Sequence, residues 1–60
     1  MIRVYDILEN IEIQCDVRFL VYDSDAETVI ELTEEKARAR EVKYMWCEDD
    51  VLVLEVCKDE

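Results

Sequence analysis

The sixty-residue chain contains no glycine, no proline and no histidine, and each absence removes a class of chemistry. Without glycine there is no Gly-rich loop to cradle a phosphate. Without histidine the commonest transition-metal ligand is missing, and so is the usual base for a Ser or Cys nucleophile. Ser24 lies in a turn-like stretch with no Lys or carboxylate arranged to activate it. Three cysteines, Cys15, Cys47 and Cys57, make an odd set with no CxxC pair, so reduced and unbridged thiols are expected. Cys47 precedes Glu48 and Asp49, whose charges make it a poor thiolate nucleophile. Positive charge is scarce: seven bases stand against seventeen acids, a net charge of −10. Such a balance opposes general attraction to nucleic acids and anionic membranes. It suits solubility, or docking on a basic partner. The longest apolar runs, such as Phe19–Tyr22 and Val51–Leu54, are too short to cross a bilayer, and the start MIRVYDILEN is too charged for a signal peptide. A soluble, cytoplasmic protein with no membrane association is the expectation.

What is present is alternation. In Ile11–Tyr22 the odd positions Ile11, Ile13, Cys15, Val17, Phe19 and Val21 are all apolar, while the even positions begin Glu12, Gln14, Asp16, Arg18. That period of two predicts a long strand with one buried face, on which Cys15 is a small buried hydrophobe. Ile2–Leu8 reads as a first strand, turned at Glu9-Asn10 into a hairpin with the second; a short helix over Tyr5–Asn10 is the rival. Asp23-Ser24-Asp25-Ala26 is a turn by composition, followed by a third strand over Glu27–Leu32 with Thr28, Ile30 and Leu32 on one side. Thr33 can cap a helix whose first turn holds Glu34 and Glu35 and which runs to about Arg40. Val42–Glu48 and Val51–Cys57 complete the set around the turn Glu48-Asp49-Asp50, with Tyr44 and Trp46 expected in core packing.

The expectation is therefore one α+β domain over residues 1–60: a small antiparallel sheet of about five strands in the order β-β-β-α-β-β, with one short helix. A sheet with so little helix cannot cover both faces. Tyr5, Ile7, Leu20, Tyr22, Val29, Met45, Val51 and Val53 are apolar on what should be solvent sides, which points to an interface and to a homo-oligomer.

Carboxylates are the chemical resource. Asp16 falls mid-strand, where Asp is depleted, and across the expected hairpin Asp6 could face the same side. Two such carboxylates can hold Mg²⁺ or another hard divalent cation, whose bound water can attack a phosphodiester. Pairing of Asp16 with Arg18 or Arg3 on a solvated face is the plainer alternative. Lys36, Arg38, Arg40 and Lys43 hold four of the seven bases within eight residues. They form either a basic edge for nucleic-acid backbone, beside Tyr44 and Trp46 that could stack bases, or ordinary i,i+4 ion pairs.

The segments IRVYDILEN, CDVRFLVYD and EVKYMWCEDDVLVLEV, which span most of the chain, resemble a family of very small acidic proteins from phages and mobile elements of gut Firmicutes, the type II-A anti-CRISPR proteins directed against Cas9. The resemblance implies a compact β-rich fold like the PC4-type single-strand-binding proteins. It also implies assembly as a dimer or tetramer in a bacterial host cell and nicking of supercoiled DNA. Relaxing the target would hinder Cas9, because R-loop formation is nearly balanced in energy and is tipped by negative supercoiling. On that reading Asp16 is the catalytic carboxylate, Asp16 and Asp6 the metal ligands, and Lys36, Arg38, Arg40 and Lys43 the DNA-binding edge. The alternatives are an acidic DNA mimic that occupies a basic nuclease groove, and an oligomerisation module without catalytic activity.

Overall fold

A computed structural model describes residues 1–58. The elements are α1 (Val4–Asn10), β1 (Asp16–Asp23), β2 (Thr28–Leu32), α2 (Glu34–Ala37), β3 (Val42–Glu48) and β4 (Val51–Val56). The four strands form one sheet in the order β2-β1-β4-β3. β1/β2 and β3/β4 are antiparallel hairpins, and the two hairpins meet through a parallel β1–β4 pair. The α+β class and the small sheet thus hold, but the sheet is mixed and has four strands.

The difference lies at the start. Only Arg3 keeps a strand-like partner, in an isolated bridge to Glu41. From Val4 the chain is helical, the rival reading. Val4 and Ile7 lie three apart, which puts them on one helical face, and both are buried with Leu8 packed beside them. Asp6 accepts the Arg3 backbone N–H at 2.9 Å and so closes the helix start. The orphan N–H groups of the first turn are satisfied from outside the helix. Val4 donates to the Arg40 carbonyl and Tyr5 to the Arg38 carbonyl, each at 3.0 Å. These tertiary bonds override the β-branched bias of the Ile2–Val4 start.

The long second strand is shorter than its alternation, because Ile11–Cys15 falls outside the sheet and Cys15 is exposed rather than buried. Its inward face survives from Val17 onward. In register, Val17 pairs with Leu52, Phe19 with Leu54 and Val21 with Val56. Phe19, Val21, Leu54 and Val56 pack under Val4 and Ile7 of α1 and Ala37 of α2. Ile30 and Leu32 of β2 pair with Val21 and Phe19, on the same side.

α2 is shorter than expected, ending at Ala37 with Arg38 as its C-cap. Thr33 caps it as expected, its Oγ1 accepting the Lys36 N–H at 3.3 Å. At the β3–β4 turn, Asp49 and Asp50 both take positive φ (53° and 63°), the requirement of a two-residue type I′ hairpin. Asp tolerates that region better than most residues, so a chain without glycine can still make the turn.

Folded domains are stable by roughly 0.05–0.15 kcal/mol per residue, so a chain this short has only a few kcal/mol to lose. Leu54 is fully buried at the centre of the core. Truncating it to Ala removes transfer energy and leaves a cavity, a loss of about 2–5 kcal/mol. Leu54→Ala is expected to lose most of its cooperative urea transition by circular dichroism, while Val29→Ala, on an exposed edge, shifts the midpoint only slightly.

Candidate functional site

Both helices sit on one side of the sheet, as the shared cluster of Val4, Ile7 and Ala37 with Phe19, Val21, Leu54 and Val56 records. The other side carries no helix. Because side chains alternate along a strand, the register fixes its composition. It holds Val29 and Glu31 from β2, and Asp16, Arg18, Leu20 and Tyr22 from β1. Val51, Val53 and Glu55 come from β4, and Tyr44, Trp46 and Glu48 from β3. Cross-strand rows run Glu31–Leu20–Glu55–Tyr44 and Arg18–Val53–Trp46. Val53 at the centre is only 1% exposed although no helix covers it, with Arg18 and Trp46 as its partners in register. Around it Tyr22 (48%), Tyr44 (61%) and Trp46 (38%) remain open to solvent.

Several expectations about surplus apolar residues resolve here. Leu20, Tyr22, Val29, Val51 and Val53 do lie on the uncovered face. Ile7 belongs to the core, and Tyr5 is an exposed helix residue. Met45 shares the helix side with Leu54 yet stays exposed, since the two short helices cover only the middle strands. Tyr44 and Trp46 are surface residues, not core. A β-bulge between Val42 and Tyr44 shifts the pairing register at the start of β3.

The structure distributes the sequence-derived site residues unevenly. Asp16 opens β1, exposed, opposite Val51; it is not mid-strand. The hairpin that would set Asp6 across from it does not form, since β1 pairs with β2 and β4 and Asp6 caps α1. Glu48 also pairs with Val51, so Asp16 and Glu48 flank that residue two strands apart on one face. Among the described residues no three His, Cys, Asp or Glu side chains converge into a metal-binding group.

Of the four bases, Arg38 bonds to Glu9 and, at 3.5 Å, to Glu34. Arg40 acts as a staple: its Nε donates to the Lys36 carbonyl at 3.3 Å and its Nη1 to the carbonyls of Cys57, at 3.0 Å, and Lys58. Lys36 and Lys43 are exposed, on α2 and at the β3 bulge. Two of the four bases are thus engaged in holding the fold, and the same is true elsewhere. Arg18 bonds Glu31 through both Nε and Nη2 at 3.1 Å, and Lys58 bridges Asp23 (3.0 Å) and Asp25 (3.3 Å). Asp16, Glu48 and Glu55, by contrast, sit on the uncovered face with no cation opposite them in register.

Two further carboxylates come onto this face: Glu55, which sequence reasoning did not single out, and Glu48, which it read as part of a solvated acidic turn with Asp49 and Asp50. Glu55 interrupts the otherwise apolar VLVLEVC, a visible signal that its side chain leaves the core. No cavity forms among the described residues, and no helix among them is long and apolar enough to cross a membrane. Compared with family models, curated proteins and solved structures, the chain shows no significant match to any.

The Arg18 hydrogen bonds and charge hold the Glu31 carboxyl below its ordinary value, and Glu31 in turn raises the Arg18 guanidinium. A hydrogen bond from Lys58, helped by the backbone N–H groups of Ala26 and Asp25, does the same for Asp23. A carboxyl with a depressed folded-state pKa stabilises the fold above its unfolded value, and that contribution is lost as pH falls through the folded one. Glu31 is exposed and Asp23 half-buried at the surface, and surface ion pairs of this kind contribute little each. Arg18→Met is expected to melt slightly below wild type at pH 7. The gap should close as pH drops beneath the ordinary carboxylate range of about 4. A gap that stays constant in melts across pH would show that Arg18 acts through its alkyl packing rather than through Glu31.

Proposed function

We propose that this chain is an anti-CRISPR protein that protects DNA from Cas9, acting as an acidic mimic that occupies a basic groove of the nuclease. The observation that carries the mechanism is the placement of charge. Arg18, Arg38 and Lys58 pair with carboxylates of the same chain, and Arg40 is spent on main-chain carbonyls. The surplus behind the net charge of −10 is therefore presented outward. A basic nucleic-acid groove is the complementary surface, reached by electrostatic steering that weakens with salt. The Cas9 target rests on the resemblance of Ile2–Asn10, Cys15–Asp23 and Glu41–Val56 to the type II-A anti-CRISPR family.

A second reading keeps the nicking of supercoiled DNA by a homo-oligomer, with Asp16 as the catalytic carboxylate and Mg²⁺ as the cofactor. What favours it is that Asp16 and Glu48 flank Val51 on one exposed face. Asp6, held at the α1 cap, no longer supports that site. Of the basic edge, Lys36 and Lys43 are the members left to touch DNA.

A linear DNA target separates the two, because relaxing supercoils cannot protect a molecule that has none. The mimic is expected to inhibit Cas9 cleavage of linear and supercoiled targets alike, with inhibition falling steeply as salt is raised. Protection confined to supercoiled plasmid, with open circles formed in Mg²⁺ and lost in Asp16→Asn, would establish the nicking mechanism instead. Full cleavage of both targets would overturn the anti-CRISPR assignment.

A further inference from the structure

We infer that the uncovered sheet face is the docking surface itself, and that it takes an arginine-bearing segment of a basic protein, with guanidinium groups laid over Tyr44 and Trp46 and paired to Glu55 and Glu48. This rests on the proposed reading of the chain as an acidic ligand of a basic surface and names where on the molecule that contact is made. The face combines two features that seldom coincide on a solvated sheet. Its centre is apolar, floored by the buried Val53 with half-buried Leu20 and Val51 beside it, and the exposed Tyr22 and Val29 extend it toward β2. Its charges are one-sided: four carboxylates, Asp16, Glu31, Glu48 and Glu55, against the single guanidinium of Arg18, which pairs with Glu31 and also feels the charge of Glu48.

The β3–β4 half is arranged for a planar cation. Tyr44 and Trp46 are two residues apart on β3, so their rings stand on the same side. Glu55 is the cross-strand partner of Tyr44, and Glu48 follows Trp46 by two, close enough to accept the indole N–H at 3.4 Å. Each exposed ring therefore has a carboxylate beside it. An aromatic face next to a carboxylate matches both halves of a guanidinium, its stacking surface and its fork of N–H donors.

Charge decides the occupant between a second copy of this chain and a basic partner. Face-to-face pairing of two copies would bring two such acidic surfaces together, and like charges across an interface are costly. A cationic partner converts the same carboxylates into favourable contacts around the apolar centre, the usual layout of a polar rim about a drier core.

The test is calorimetric titration of the full chain with an oligoarginine peptide, repeated on Tyr44→Ala, Trp46→Ala, Glu55→Gln and the off-face control Glu35→Gln. Each variant is first checked for native circular dichroism. Removing either ring or the Glu55 charge is expected to weaken binding about two- to fivefold, the size of an exposed cation–π contact, while Glu35→Gln has a smaller effect. Equal weakening by Glu35→Gln and Glu55→Gln, with the ring variants unchanged, would overturn the face assignment and leave the acidic reading standing. Absence of binding by the wild-type chain would overturn both. Self-association in sedimentation that Trp46→Ala abolishes would show that a second copy takes the face, and would also overturn the inference.

Discussion

The parallel pairing of β1 with β4 is the constraint on which the remaining structure depends. It joins two local hairpins into one sheet and brings Phe19 and Val21 beside Leu54 and Val56, the row on which the helices pack. Both helices are drawn to that row, α1 through Val4 and Ile7 and α2 through Ala37. Both helices among the described residues pack on that row, so the other face of the sheet carries none. Core and uncovered surface are thus two results of a single packing choice.

Charge follows the same division. Arg38 and Arg40 sit where the short α2 ends and tie that region to α1 and to the chain after β4. Lys58 pins the β1–β2 turn through Asp23 and Asp25. Long basic side chains take over part of the stapling that a larger core would provide, and the acids they do not meet face outward. The acidic surface is a consequence of how the scarce positive charge is used, as well as of composition.

Alternation read the sheet well wherever a strand has one buried face. The bounds of β3, the sides of β2 and the inward set Val17, Phe19 and Val21 all followed from a period of two. It failed at Ile2–Leu8, because Val4, Ile7 and Leu8 satisfy a helical spacing too, and the choice was settled by carbonyls of Arg38 and Arg40 that no local pattern reveals. For the same reason the strand reading places Asp6 across from Asp16, whereas Asp6 closes the start of α1. Tyr44 and Trp46 read as core in the sequence because large aromatics usually are; the strand order shows that their face has no helix above it. The bare face itself was foreseeable from the surplus of apolar residues, but its carboxylate pattern needed the β3–β4 register.

The central claim is that this molecule acts through its helix-free sheet face. Methyl and indole NMR of the full chain during titration with an oligoarginine peptide tests it most directly. The account predicts shifts at the Trp46 indole and at the methyls of Leu20, Val51 and Val53, with those of Val4, Ile7 and Ala37 on the opposite side unmoved. Shifts confined to the helix side, or to the Asp49–Asp50 turn alone, would contradict it.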